Sequence, residues 1–348
     1  MQAMLGAKRD WIQGSFPRRI LSPKPGWLPG DRVDSAAVSD SLVQIGKMSS
    51  GEPARQPRPE WLRIRLSTPR RYREVNDLVD GLSLNTVCQE ARCPNIYECW
   101  GEHGTATFMI LGDICTRRCG FCAVTSGRPL PGVEEEEPDN VARAVTSMGL
   151  RHAVITSVDR DDLADGGAAH FARVIEAIHR RNPTTAVEVL TPDFRGVPEA
   201  LDIVLGAAPE VFSHNMETVP RLYRTARPGS RYERSMAVLE TVADRQARGH
   251  FEGRSKTGIM VGLGETPEEV RQTLGEIRQA GVEILTIGQY LQPTSDHLPV
   301  DRWVHPDEFE SYRTFALELG FSHCESGPLV RSSYHAHEHV AEQGRAST

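Results

Sequence analysis

The pattern of apolar and polar positions predicts repeated strand–helix units from about residue 105 onward. Short β-branched and apolar runs predict six strands, at 105–112, 152–158, 186–191, 211–216, 257–263 and 284–291. Apolar positions three and four residues apart predict the intervening helices, at 139–148, 171–178, 197–205, 232–247, 267–280 and 306–319. This alternation is typical of a parallel sheet covered by helices.

Six such units predict an α/β fold, specifically a partial (β/α)6 barrel of the TIM type. A doubly wound sheet remains the alternative, because periodicity does not show whether a sheet curls toward closure. We expect four segments: an irregular extension rich in Pro, Gly and Ser (1–58), a cysteine-bearing segment (59–104), the barrel (105–320) and a C-terminal segment (321–348). In barrels the active site lies at the C-terminal ends of the strands.

Composition narrows the class of protein. The chain has 348 residues, of which 39% are hydrophobic and 25% are charged, as expected for a globular protein. A net charge of -7 argues against a nucleic-acid-binding surface. No apolar run approaches the roughly 18 residues of a membrane span, and the N-terminus lacks the apolar core of a secretory signal. We therefore expect a cytoplasmic protein that binds neither nucleic acid nor membrane.

Cysteines carry the strongest chemical signal. Six of the seven form two triplets, C-x4-C-x5-C at Cys88, Cys93 and Cys99, and C-x3-C-x2-C at Cys115, Cys119 and Cys122. In a chain without a secretory signal, clustered cysteines indicate metal ligands more than disulfides. A structural zinc site usually has four ligands in two close pairs, which neither triplet supplies. A cubane iron–sulfur cluster can take three thiolates and leave one iron open. A zinc-stabilised binding module and a disulfide cluster remain the alternatives.

The motif CTRRCGFC (115–122), with Phe121 before its last cysteine, resembles the signature of the radical S-adenosylmethionine (SAM) superfamily. In that superfamily the open iron binds the amino and carboxylate groups of SAM, which is then cleaved to a 5′-deoxyadenosyl radical. Three further stretches resemble lipoyl synthases: TVCQEARCPNIYECW (86–100), MILGDICTRRCGFCAVTSGRP (109–129) and GPLVRSSYHA (327–336). The resemblance covers about residues 58–340.

This resemblance implies two [4Fe–4S] clusters. Cys115, Cys119 and Cys122 would hold the cluster that binds SAM. Cys88, Cys93 and Cys99 would hold an auxiliary cluster, whose fourth ligand would be a serine of the RSSY motif at 331–334. Within that motif the resemblance favours Ser333 over Ser332, with Arg331 orienting the segment. The N-terminal and C-terminal extensions of the barrel would then carry the auxiliary site.

The resemblance also indicates SAM contacts, namely Gly166, Gly167, Glu188, Asn215 and Arg227. Glycine lets a backbone approach a ligand closely, and a guanidinium matches a carboxylate. For each of these residues an ordinary salt bridge or loop contact is an equally good interpretation. We interpret Cys324 as a buried thiol, and His335, His337 and His339 as a solvated run.

The implied reaction inserts two sulfur atoms at C6 and C8 of a protein-bound octanoyl-lysine, with sulfur drawn from the auxiliary cluster. Expected partners are octanoylated lipoyl-domain proteins, that is the E2 subunits of 2-oxoacid dehydrogenases and the glycine cleavage H protein. Reduced ferredoxin or flavodoxin would supply electrons.

Among other radical SAM sulfur inserters, biotin synthase lacks the paired triplets. The tRNA methylthiotransferases carry their extra cluster in a separate N-terminal domain.

Overall fold

The computed structural model describes residues 57–63, 70–82, 84–90, 93, 95–100, 105–334 and 336. The extension predicted at 1–58 therefore lies outside the described residues up to residue 56, as do the three histidines of the predicted solvated run. The segment boundaries predicted from sequence stay predictions.

One sheet of eight strands organises the described chain. Its strands are β1 (Asn85–Thr86), β2 (Thr105–Ile110), β3 (His152–Ser157), β4 (Ala186–Leu190), β5 (Val211–Ser213), β6 (Arg254–Val261), β7 (Ile284–Gln289) and β8 (His323–Gly327). β1 pairs antiparallel with β2, and every later neighbour pairs in parallel. The spatial order follows the chain order from β1 to β8. A doubly wound sheet reverses its order near the middle, so this order confirms the partial barrel and excludes that alternative.

Seven longer helices accompany the sheet. They are α1 (Arg70–Gly81), α2 (Glu137–Met148), α3 (Ala168–Arg181), α4 (Pro198–Gly206), α5 (Tyr232–Ala247), α6 (Pro267–Gln279) and α7 (Pro306–Leu319). Local sequence explains their ends. At the start of α6, Thr266 Oγ1 accepts from the Glu269 amide, and the Glu269 carboxylate accepts from the Thr266 amide, which forms a capping box. α2 stops at Gly149, whose φ of 61° is left-handed.

The two faces of the strands differ in chemistry. Side chains that face the helices are buried and apolar, for example Ile155 and Val189. The opposite face contains a buried ion pair, in which Lys256 Nζ donates to Glu188 Oε1 at 2.8 Å. His152 Nε2 lies 3.3 Å from the other Glu188 oxygen. All three side chains are almost fully buried, so the interior of this barrel is charged as well as apolar.

Four features of the fold differ from the sequence prediction. The helix α1, the short strand β1 and the parallel strand β8 were not predicted. β5 ends at Ser213 rather than at 216, because the chain then leaves the ladder and turns through Glu217 at a φ of 68°. Within the part of the chain that the structure describes, no helix is long and apolar enough to span a bilayer.

Candidate metal centres

The loop after β2 carries the second cysteine triplet at the C-terminal edge of the sheet. Ile114–Cys115 pairs in parallel with Thr125–Ser126, which folds the loop back on itself. The Cys122 amide donates to the Cys119 carbonyl at 3.2 Å, so these two cysteines share one tight turn. All seven cysteines of the chain are free thiols, as metal ligands must be before loading.

The loop after β3 supports Cys115 directly. The Cys115 sulfur accepts from the Asp159 amide at 3.3 Å and from the Arg117 amide at 3.4 Å. Thr116 joins the two loops, because its amide and its hydroxyl both donate to the Asp159 carbonyl. Donors aimed at a sulfur stabilise it as a thiolate, which is the form that binds iron.

Arg117, between Cys115 and Cys119, is the ionic centre of this region. Its guanidinium is buried and lies 3.3 Å from Asp159, 2.7 Å from Asp161 and 2.6 Å from Asp193. Burial by itself would raise the pKa of Asp193, but the hydrogen bond and charge of Arg117 outweigh burial and hold that pKa at about 2. Asp193 is therefore charged at neutral pH.

Unpartnered polar atoms gather at the same edge of the sheet. Buried atoms there without a hydrogen-bond partner include Ser157 Oγ, Asp159 Oδ1, Ser213 Oγ, Asn215 Oδ1 and Arg227 Nε. Arg227 is anchored by its Nη1, which donates to the Asn215 carbonyl at 2.8 Å and to Tyr223 Oη at 2.9 Å. Buried polar groups are rarely left unpaired, so these atoms fit a polar ligand such as the amino-acid part of SAM.

The predicted glycine contact has a clear structural reason. Gly166 and Gly167 have φ values of 61° and 92°, and Gly167 precedes the first residue of α3. A Cβ at Gly167 would come within 2.3 Å of Leu111 Cδ1. Glycine is therefore required here by packing, whether or not SAM contacts this backbone.

Glu188 stands apart from the other predicted SAM contacts. Its oxygens are engaged by Lys256 and His152 within the barrel. Burial lowers the pKa of Lys256, while the nearby carboxylate of Glu188 opposes that shift. The structure thus gives Glu188 the ion-pair role that the sequence left open, and its contact with SAM stays a prediction.

The first triplet lines a cavity on the other side of β2. Its walls comprise Cys88, Cys93, Asn95, Ile96, Cys99, Thr105, Thr107, Arg331, Ser333 and Tyr334. The four predicted ligands of the auxiliary cluster are thus brought together, although Ser333 is more than 230 residues from the cysteines along the chain. Asn95 helps to join the two segments, because its Nδ2 donates to the Leu329 carbonyl at 2.8 Å.

The chemistry of this cavity fits an iron–sulfur cluster. Thr105 Oγ1 is buried in its wall without a hydrogen-bond partner, and a cluster sulfide would accept a hydrogen bond from this hydroxyl. Burial and the neighbouring Cys93 raise the pKa of Cys88 to about 12, despite hydrogen bonds from Thr107. Burial likewise raises the pKa of Cys115 to about 11 and of Cys119 to about 12. These three thiols are therefore protonated before loading, and metal binding must release protons from them.

Arg331 extends into the same cavity wall. Its Nη1 donates to the Val330 carbonyl at 2.6 Å and to the Gln289 carbonyl at 3.5 Å. Burial lowers its pKa, and Cys93 counteracts that shift. The residue thus ties the RSSY segment to the end of β7.

The donor geometry bears on which metal each triplet would take. Among the residues that the structure describes, no three His, Cys, Asp or Glu side chains are grouped to hold a single metal ion. A cubane cluster needs no such group, because each thiolate binds a different iron. Three thiols on one segment can therefore serve a cluster through three of its irons.

Several residues of the site were missed in the sequence. They are Asn95, Thr105, Arg117, Asp159 and Glu217, the last of which is strained at a φ of 68° and accepts from Asn215 Nδ2 at 3.2 Å. Arg117 lies within the quoted motif CTRRCGFC, and Asp159 directly follows the predicted strand at 152–158, so position in the sequence was the available signal. Nothing in the sequence marked Thr105 as part of a cavity. Cys324 is buried, which confirms that prediction.

Comparison with known proteins places the chain in a family. A profile described as "Radical SAM superfamily" matches residues 109–277. The lipoyl synthase of Rubrobacter xylanophilus is 56% identical over 297 residues, covering 85% of this chain and 90% of the relative. The mitochondrial lipoyl synthase of Nematostella vectensis is 54% identical over 288 residues, covering 83% of this chain and 97% of the relative.

A solved structure supports the fold. The chain is similar to Streptococcus suis SuiB bound to its precursor peptide SuiA, with a TM-score of 0.50 and 9% identity over 73% of this chain and 52% of that one. Radical SAM enzymes carry a [4Fe–4S] cluster and use SAM, as the Cys115 triplet predicts. With relatives this similar over most of their length, the chain belongs to the lipoyl synthase family of radical SAM sulfurtransferases.

Proposed function

We propose that this chain inserts two sulfur atoms at C6 and C8 of an octanoyl-lysine on a carrier protein, with two [4Fe–4S] clusters as cofactors. The observation that carries the proposal is the cavity in which Cys88, Cys93, Cys99 and Ser333 meet. A second thiol site, separate from the Cys115 loop and with Ser333 in its wall, offers a place for a cluster that could serve as the sulfur source.

The reaction requires chemistry that side chains do not supply. The hydrogens of a saturated octanoyl chain are not acidic, so general acids and bases offer no route to C6 or C8. When bound, SAM and its cluster supply a carbon-centred radical, and the auxiliary cluster supplies sulfur. The residues of the chain hold and orient these groups.

Each set of residues has a separate task in this proposal. Cys115, Cys119 and Cys122 hold three irons of the first cluster and leave the fourth for SAM. Arg227 Nε and Asn215 Oδ1, both unpartnered, are suited to the carboxylate and amino groups of SAM respectively. Gly166 and Gly167 allow the backbone to approach the ligand, and Glu188 completes the predicted SAM set.

Ser333 has a distinct role as the fourth ligand of the auxiliary cluster. An alkoxide is a harder ligand than a thiolate, and iron–sulfur sites favour soft ligands. The serine would therefore be the weakest of the four contacts that hold this group, and so the one most readily released. Arg331 positions the serine by holding the RSSY segment against β7.

The partners follow from the substrate. Octanoylated lipoyl-domain proteins, E2 subunits and the glycine cleavage H protein, would present the octanoyl-lysine. Reduced ferredoxin or flavodoxin would reduce the first cluster. The cytoplasm stays the predicted location.

An anaerobic assay tests the proposal. The chain is reconstituted with iron and sulfide and given SAM, reductant and an octanoyl-lysine peptide, and the peptide is then weighed by mass spectrometry. We expect two hydrogens to be replaced by two sulfurs, together with release of 5′-deoxyadenosine. Cleavage of SAM with an unchanged peptide would refute the substrate. Intact SAM in a protein with both clusters would refute the radical function.

A further inference from the structure

The Cys115 loop contains a charged residue for which the proposed chemistry gives no role. Arg117 lies between two predicted cluster ligands, yet its side chain is only 4% exposed and points away from solvent. A buried guanidinium is costly unless it is fully paired, so its surroundings indicate what it does.

The pairing of Arg117 joins four separate loops. Its Nε and Nη2 donate to the two oxygens of Asp161 at 2.7 and 2.8 Å, which makes a bidentate pair with the loop after β3. Nη2 also donates to Asp193 Oδ1, in the loop after β4, at 2.6 Å. Nη1 donates to Ser230 Oγ, before α5, at 2.9 Å. Hydrogen bonds within the protein thus hold the cysteine loop against its neighbours.

Several charges share this cluster, since the charge of Arg227 also acts on Asp159. Arg117 faces three carboxylates, those of Asp159, Asp161 and Asp193. Arg234 offsets Asp193 at 3.3 Å. Asp159 lies directly beside Cys115, with its Oδ2 3.7 Å from the sulfur. Without Arg117, this negative charge would act on a set of thiolate ligands at short range.

We propose that Arg117 is a positioning residue that holds the cysteine loop in its cluster-binding conformation and offsets the negative charge of the three aspartates beside the cluster. This inference rests on the proposed cluster at Cys115, Cys119 and Cys122. It adds two measurable properties to that site, which are the rate at which iron is lost and the reduction potential of the cluster.

The rate of iron loss reports on the geometry of the cysteine loop, and the reduction potential reports on the charge around the cluster. Loss of Arg117 removes the hydrogen bonds that hold the cysteine loop, so the cluster should release iron faster. It also removes a positive charge, so the cluster should become harder to reduce. Loss of the Asp161 carboxylate also weakens this set of hydrogen bonds, but it removes a negative charge, so that cluster should become easier to reduce. If Arg117 and Asp161 served only folding, their loss would not shift the reduction potential of the cluster in opposite directions.

The test uses the reconstituted full chain with both clusters. The variants are Arg117→Gln, Arg117→Lys and Asp161→Asn, with Arg118→Gln as the matched control, because Arg118 is the exposed neighbour of Arg117. Electron paramagnetic resonance follows each cluster during a redox titration and during challenge with an iron chelator. Added SAM identifies the first cluster by perturbing its signal, and the auxiliary cluster is the internal reference.

We expect Arg117→Gln to speed iron loss from the SAM-responsive cluster by about tenfold or more, as for a broken buried ion pair, and to lower its midpoint potential. Arg117→Lys should lose iron faster but keep a potential close to that of the original protein. Asp161→Asn should lose iron faster with a raised potential. Arg118→Gln should match the original protein throughout.

Other outcomes overturn the inference. If Arg117→Gln matches Arg118→Gln in both properties, Arg117 has no positioning role. If iron loss accelerates equally at both clusters, the effect is global instability. If Arg117→Gln does not fold, the test rests on Arg117→Lys and Asp161→Asn. Reduction potentials that shift in the same direction in these two variants would refute the charge argument. A wild-type protein that assembles only the SAM-responsive cluster would refute the proposed function but leave this inference standing.

Discussion

The Cys115 loop and the cavity of Cys88, Cys93 and Cys99 differ in where their supports lie along the chain. Arg117 reaches partners 44, 76 and 113 residues away, all on loops at one edge of the sheet. The cavity depends on a hydrogen bond between Asn95 and Leu329, which are 234 residues apart. The first site is part of the barrel, whereas the second requires the C-terminal segment to return to the N-terminal one.

This difference predicts different sensitivities. A change that disturbs the C-terminal segment should affect the auxiliary site and spare the SAM site. A change inside the barrel should affect both, because both rest on β2.

Removal of one ligand from each triplet should give two different failures. Cys88→Ala should lose about half of the iron and all sulfur insertion but still cleave SAM, because the barrel site remains. Cys115→Ala should also lose about half of the iron but abolish cleavage of SAM. Iron analysis and chromatography of 5′-deoxyadenosine check both. Cys324→Ala, a buried cysteine outside the triplets, is the control. Equal loss of cleavage in both cluster variants would show that the sites are not separable.

Disruption of the ion pair inside the barrel should weaken both sites together. Glu188→Gln removes the carboxylate that pairs with the buried Lys256 ammonium, which costs about 3–5 kcal/mol in the free energy of unfolding. Denaturant unfolding measures the loss, and Lys256→Met in the Glu188→Gln background should recover part of it. Binding of SAM by the double variant, measured by calorimetry, separates the ion-pair role from the predicted SAM contact. A stable Glu188→Gln protein with weakened SAM binding would favour the contact over the pair.

Asn95→Ala should affect the auxiliary site alone. It leaves the Leu329 carbonyl without its donor, at a cost of roughly 1–3 kcal/mol to the closure of the cavity. Release of iron to a chelator should therefore accelerate for the auxiliary cluster and stay unchanged for the SAM-responsive one. Faster iron release from both clusters would show that the two sites do not have separate supports.

Mild acid should have the smallest effect. Burial and the charge of Arg227 lower the pKa of His214 to about 4, although the Thr191 carbonyl opposes the shift. The unfolded chain therefore takes up this proton at higher pH than the folded one. Stability is complete above pH 6.5 and declines toward pH 4, by roughly 1 kcal/mol between pH 7 and pH 6. Unfolding at a series of pH values checks the slope, which His214→Gln should flatten. An unchanged slope in that variant would assign the decline to other groups.

Local pattern predicted most of the barrel. The six strand–helix units and their order follow from runs such as TATFMI before the Cys115 loop and from stop signals such as Gly149. β8 was missed because HCESG alternates polar and small residues, as suits a strand at the edge of the sheet with one face in a charged interior. α1 was missed because Val75 and Val79 are its main buried positions in an otherwise polar stretch.

Residues of the site could be predicted only where the spacing of residues in the sequence indicates their chemistry. Cysteine spacing indicated both triplets, and family resemblance linked Ser333 to the first. Arg117, Thr105 and Asn95 act through contacts that join distant segments, and a single sequence contains no record of such contacts. Glu188 shows the converse, since a residue singled out for a ligand turned out to have a buried partner within the fold.

The most direct test of the account is the source of the inserted sulfur. The chain is reconstituted with ³⁴S-sulfide, freed of unbound sulfide, and allowed a single turnover with an octanoyl-lysine peptide. If Cys88, Cys93, Cys99 and Ser333 hold a cluster that supplies sulfur, both inserted atoms should be ³⁴S and the auxiliary signal should decay with product formation. Product with unlabelled sulfur, while both clusters keep their label, would show that the auxiliary cluster does not supply the inserted sulfur.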